Sequence, residues 1–183
     1  MKTFIRNRSR SILAPPAKKD GKVSVGKLSS TTKMFIGQLA KDYPDYKIER
    51  GEQEHWSPKS NTISFNPQQT PEHIRFGVLH ELAHALLDHA TYQSDFELLK
   101  MESEAWQLAS KIGLKYGVSI SDDHIQHCLD TYRDWLHNRS QCPTCSMHVL
   151  QESSSSYKCF NCGTVWKVSS GRFVRPYRKT ESK

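Results

Sequence analysis

Long hydrophobic runs are missing from this chain. Its longest apolar stretches, such as Val78-Leu79 and Ala85-Leu86-Leu87, fall far short of the ~18 consecutive apolar residues of a membrane helix. A helical membrane protein is therefore excluded. Apolar residues are scarce overall: counting Gly and omitting Tyr they make up about 37%, against roughly 45–50% in globular domains, so part of the chain should lie outside any packed core. Acids are scarce at both ends. Residues 1–28 carry eight Lys/Arg and one acid, and residues 171–183 carry five and one, so the net charge of +7 resides in arms of +7 and +4 around a body of −4. Such composition is that of disorder, and both arms are expected to stay flexible. The N-terminus also lacks the ~7–15-residue apolar stretch of a secretory signal, offering only Ser11-Ile12-Leu13-Ala14 before two prolines. Secretion is not expected, and a cytoplasmic location is. The same Arg- and Ser-rich start would suit an organellar transit peptide in a eukaryotic source.

With 183 residues, one main core and a small appendage fit the length. Ser30-Thr31-Thr32 can cap a helix bearing Phe35 and Leu39 that stops before Pro44. Tyr46–Arg50 and Thr62–Phe65 read as short strands of a small antiparallel sheet, with Pro58-Lys59-Ser60-Asn61 as a turn. Pro71 and Glu72 open a helix predicted to run from Thr70 to about His89. Another spans about Phe96 to Tyr116 and closes at Gly117. A last one begins near Ser121, with Ile125, Cys128, Leu129, Tyr132, Trp135 and Leu136 on one face. Cys128 within that stripe reads as a buried core thiol.

The central signal is His80-Glu81-Leu82-Ala83-His84. A spacing of four puts both imidazoles on one helical face, within reach of one metal ion, with a carboxylate beside them. A catalytic zinc site takes three protein ligands and leaves a position for water, whose proton a neighbouring carboxylate can accept. The flanks Val78, Leu79, Leu82, Ala85, Leu86 and Leu87 make this a buried helix, where two histidines and a glutamate without partners would be costly. The next helix offers Glu102 and Glu104. Glu102 shares a stripe with Ala105, Ala109 and Ile112, whereas Glu104 lies with Lys111 and Lys115, so the periodicity favours Glu102 as third ligand. His89, five residues after His84 and ~140° away on a regular helix, reads as a cation at the helix C-terminus.

These residues, His80 to His89 followed by Glu102-Ser103-Glu104-Ala105, resemble the ImmA/IrrE-type metallopeptidases, a gluzincin-like group, over about residues 30–117. The resemblance implies zinc ligands His80, His84 and Glu102, Glu81 as general base, and an intracellular protease that acts on regulatory proteins. Trp106 stands where that group usually has Asn or Asp. The layout, though not the ligand set, is also similar to SprT-like DNA-associated proteases.

Cys142-x-x-Cys145 and Cys159-x-x-Cys162 have the spacing of two knuckles closing one tetrahedral thiolate site, so these four cysteines are expected to hold a structural zinc. Met147–Leu150 and Thr164–Val168 would supply its short sheet. Such a closed site is structural or recognitive, and Lys158, Trp166, Lys167 and the tail residues Arg172, Phe173, Arg175, Tyr177, Arg178 and Lys179 interleave aromatics with charge as single-stranded nucleic-acid binders do. The expected organisation is an arm (1–28), a zinc metallopeptidase-like domain (29–139), a zinc ribbon (140–170) and a basic tail (171–183). The fold class is α+β. The expected function is zinc-dependent hydrolysis of a protein or peptide, with substrate pairing along the edge near Ile63–Phe65. Weak nucleic-acid binding through tails and ribbon is a further expectation. The competing class is a nucleic-acid- or protein-binding adaptor in which the histidine site is structural.

Overall fold

The computed structural model describes residues 28–153, 155–169 and 178–180. The arm 1–28 apart from Leu28, and tail residues Arg172, Phe173, Arg175 and Tyr177, lie outside the described residues. The architecture is α+β, with four helices and two small sheets among the described residues, and none of the helices is long and apolar enough to cross a membrane.

The chain divides into two compact units, one made of residues up to Thr91 with Ser103–Ile125, the other of Tyr92–Glu102 with the residues from Gln126 onward. In the first, helix α1 (Ser30–Asp42) is capped by Ser29, whose hydroxyl accepts from the Thr32 N–H at 3.1 Å, and buries Phe35 and Leu39. Three strands follow: β1 (Lys47–Arg50), β2 (His55–Ser57) and β3 (Thr62–Phe65), in the order β1-β3-β2. The sheet is mixed. The β2–β3 pair is antiparallel as expected of a hairpin, but β1 pairs parallel to β3, because β2, which comes between them in sequence, reverses the chain and takes the far side of β3. With β1 and β2 on either side, β3 has no open edge, which rules out substrate pairing at Ile63–Phe65.

Helix α2 (Pro71–Leu86) is capped by the Thr70 hydroxyl, which accepts from the His73 N–H at 3.2 Å. Every residue from Phe76 to Ala85 is buried, the polar His80, Glu81 and His84 along with the apolar Val78, Leu79, Leu82 and Ala83. It ends at Leu86, short of the predicted His89. Helix α3 (Asp95–Lys115) is closed at Gly117, whose φ of +66° is natural to glycine. Gly113 admits close approach: a Cβ there would lie 2.6 Å from the Val118 carbonyl oxygen and 3.3 Å from Leu79 Cδ1.

In the second unit, helix α4 (Asp122–Ser140) buries Cys128, Leu129, Tyr132 and Trp135. Strands β4 (Gln151–Ser153), β5 (Ser156–Lys158), β6 (Val165–Val168) and β7 (Arg178–Thr180) pair antiparallel in sequence order. Met147–Leu150 forms no strand, contributing one isolated bridge from His148 to Gln141. Within the tail expected to be flexible, residues 178–180 pair with β6. Trp166 is fully buried and stacks on Tyr157 with centroids 5.4 Å apart, so it is core rather than an exposed stacking platform. Asp95 ties this unit together. It is bonded to Arg139 Nε at 2.7 Å and accepts from the Tyr157 hydroxyl, while its N–H donates to Gln151 Oε1. Trp166 Nε1 donates to the Arg139 carbonyl at 3.1 Å, and the Arg139 guanidinium lies over the Trp135 ring.

Candidate metal centre and active site

On α2, His80, Glu81 and His84 are all buried. The two imidazoles turn the same nitrogen inward, Nε2 to Nε2 at 3.1 Å, with ring planes at 88°. Two nitrogens on a tetrahedral zinc at about 2.0–2.1 Å stand roughly 3.3 Å apart, so the pair is spaced as ligands of one ion would be. A carboxylate oxygen of Glu102 joins them in a group whose ligand atoms all lie within 4.8 Å of one another. Two imidazoles and a carboxylate are a catalytic zinc donor set, and these residues fit that ion. Glu104, two residues along α3 and therefore roughly 200° around it, is outside the group and faces His89 at 3.7 Å. Cys128 is buried, and burial, with the Glu102 charge adding, pushes its thiol up to about 12.

Glu81 is held from the sheet: the Trp56 backbone N–H donates to its Oε2 at 2.7 Å. That bond leaves Trp56 on the side of β2 away from β3, so the edge beside Glu81 is the outer edge of β2. Glu54, just before β2, is also buried, and burial raises its carboxyl pKa, the Glu81 charge adding to the rise. Sequence reasoning missed Glu54 and Trp56, because a three-residue strand carries no readable period. Trp106 stacks on the His80 ring at 4.1 Å and 25° and meets His124 edge-on. An indole has no acceptor, so it supports His80 by ring contact where Asn or Asp would accept a hydrogen bond.

The four ribbon sulfurs also lie within 4.8 Å of one another, with Cys142–Cys162 at 3.6 Å and Cys145–Cys159 at 3.5 Å. Zn–S distances of about 2.3 Å give a tetrahedral edge near 3.8 Å. The knuckles repeat one backbone design. Cys142 N–H bonds Met147 O and Ser146 N–H bonds Cys142 O; Cys159 N–H bonds Thr164 O and Gly163 N–H bonds Cys159 O. Ser146 and Gly163 take the matching left-handed positions, φ +61° and +73°. The Thr164 side chain and backbone lower the Cys162 thiol to about 6 and hydrogen bonding to Asn161 lowers that of Cys145, while the Cys159 thiol, although backbone hydrogen bonding to Cys162 lowers it, is pushed up to about 11 by burial and by sharing protons with its neighbours Cys145 and Cys162.

No curated protein and no solved structure matches this chain. Residues 41–138, more than half of it, match the peptidase M78 family, described as the IrrE N-terminal-like domain. That span includes the whole of α2 and α3, with His80, Glu81, His84 and Glu102, and the chain belongs to the IrrE N-terminal-like domain family.

Proposed function

We propose that the protein is a zinc-dependent metalloendopeptidase of regulatory type, acting on a protein or peptide in the cytoplasm. The convergence of His80 Nε2, His84 Nε2 and a Glu102 oxygen beside the tethered Glu81 carries this reading. When bound there, zinc supplies Lewis-acid polarisation of the scissile carbonyl and acidifies a water. Glu81 does the proton work: with Oε2 fixed by the Trp56 N–H, its other oxygen takes the proton from water and returns it to the leaving amine. On the outer edge of β2 the Trp56 N–H is taken by Glu81, which leaves the Trp56 carbonyl to accept from an extended substrate running past Glu81. A second zinc, on Cys142, Cys145, Cys159 and Cys162, holds the ribbon and leaves no open coordination position. Exposed Lys158 and Lys167 and the basic segments are proposed to give weak contact with nucleic acid.

Cleavage of a peptide library by the full chain tests the reading. Hydrolysis should stop on chelation and return with zinc, whereas cleavage that survives metal removal contradicts it. A metal-loaded protein that cleaves nothing yet captures a partner would favour the adaptor class.

A further inference from the structure

The end of α2 makes a turn that the metal-ligand motif does not require. Asp88 N–H bonds the Ala85 carbonyl at 3.2 Å and His89 N–H bonds the His84 carbonyl at 3.0 Å, while Asp88 takes φ +53°. This is a Schellman closure, with Asp88 at the left-handed position usually given to glycine. On a continued helix His89 would stand ~140° from His84. The closure folds it back over the last turn, against the residue whose carbonyl it caps. A hydrophobic contact is usual there. Here it is imidazole on imidazole: His84 Nδ1 and His89 Nδ1 are 2.9 Å apart, and His89 Nε2 faces Glu104 Oε2 at 3.7 Å.

Proton counting fixes the roles. A neutral imidazole carries one N–H. On the zinc reading proposed above, on which this inference rests, His84 gives its Nε2 lone pair to the ion and must carry its proton on Nδ1. That N–H donates to His89 Nδ1, which leaves the His89 proton on Nε2, directed at the Glu104 carboxylate. His84 and His89 thus share one hydrogen bond with a self-consistent pair of tautomers, and the Glu104 carboxylate lies 3.7 Å beyond, too far for a hydrogen bond but near enough to favour the His89 proton on Nε2.

We propose that His89, backed by Glu104, is the positioning residue that holds His84 in the metal-binding tautomer and orientation. Outer partners of ligating histidines do this in zinc sites generally. The arrangement also accounts for Asp88: its left-handed turn delivers His89 to His84.

Zinc affinity of the full chain, measured by chelator competition, tests the proposal. His89→Ala should weaken the histidine site by about 10–100-fold while leaving both the ribbon zinc and the melting temperature of the metal-free protein unchanged, which separates the effect from unfolding. His89→Asn, whose Oδ1 stands near the place of Nδ1, should keep affinity within a few-fold, and Glu104→Ala should lose less than His89→Ala. Long-range proton–nitrogen spectra of the zinc-loaded protein should find the proton on His84 Nδ1 and on His89 Nε2. Wild-type affinity in His89→Ala, or His89→Asn no better than His89→Ala, overturns the inference alone. A wild-type protein whose only zinc disappears with the cysteines overturns the metallopeptidase reading and the inference with it.

Discussion

Replacing Asp95 with Ala removes one half of an ion pair whose side chains are 2% and 3% exposed. The Arg139 guanidinium would stay buried over Trp135 without its carboxylate, and the Tyr157 hydroxyl would lose its acceptor. Breaking such a pair from one side costs about 3–5 kcal/mol, because the remaining charge is left uncompensated. Against a total stability of ~5–15 kcal/mol this is a large fraction. At roughly 2–4 °C per kcal/mol for a chain of this size, the melting temperature should fall by about 6–20 °C. Urea unfolding followed by tryptophan fluorescence reports on it, since Trp135 and Trp166 both touch Arg139. The double variant Asp95→Ala/Arg139→Met, with no charge left to strand, should lose less than the two single losses added together. A loss under ~1 kcal/mol in Asp95→Ala would refute the argument that this pair organises the second unit.

Glu54→Gln should become more stable relative to wild type as pH rises. Burial first, then the Glu81 charge, raise the folded pKa of Glu54 above its unfolded value. The folded state thus holds the proton more tightly, and wild-type stability declines as pH climbs from about 4.3 through the raised value; melts at pH 4 and pH 8 should show the variant's advantage only at the higher pH. Ser146→Gly should stabilise the ribbon by up to about 1 kcal/mol, since glycine occupies a positive φ at no steric cost, and a chelator-resistance assay that finds no gain would discount strain at that knuckle. Metal analysis should find Glu102→Ala depleted at the histidine site and Glu104→Ala far less so. Deleting residues 1–28 should reduce weak, salt-sensitive binding to duplex DNA near 50 mM salt; equal binding by both forms would remove the arm from that role.

The helical pairing of His80 with His84, the grouping of Glu102 rather than Glu104 beside them and the clustering of the four cysteines were legible because each rests on a fixed local period or spacing. The helices were legible for the same reason, with Thr70 and Gly117 marking ends through known cap chemistry. The end of α2 was not, because a left-handed Asp88 gives no glycine signal, so the sequence pattern carries the helix on to His89. The parallel β1–β3 pair, the Trp56–Glu81 bond and the Asp95–Arg139–Tyr157 node join residues far apart in sequence. No local pattern carries such contacts. Trp166 was misplaced on the surface because alternation along a four-residue strand does not say which face is the core.

Glu81→Gln bears most directly on the claim that this is a peptidase. The substitution keeps the side chain's shape and an oxygen for the Trp56 N–H but cannot take a proton, so the zinc-loaded variant should bind two metals per chain, melt as wild type does, and cleave a peptide library at least ~10²-fold more slowly. Wild-type cleavage rates in a zinc-loaded Glu81→Gln protein would contradict the account.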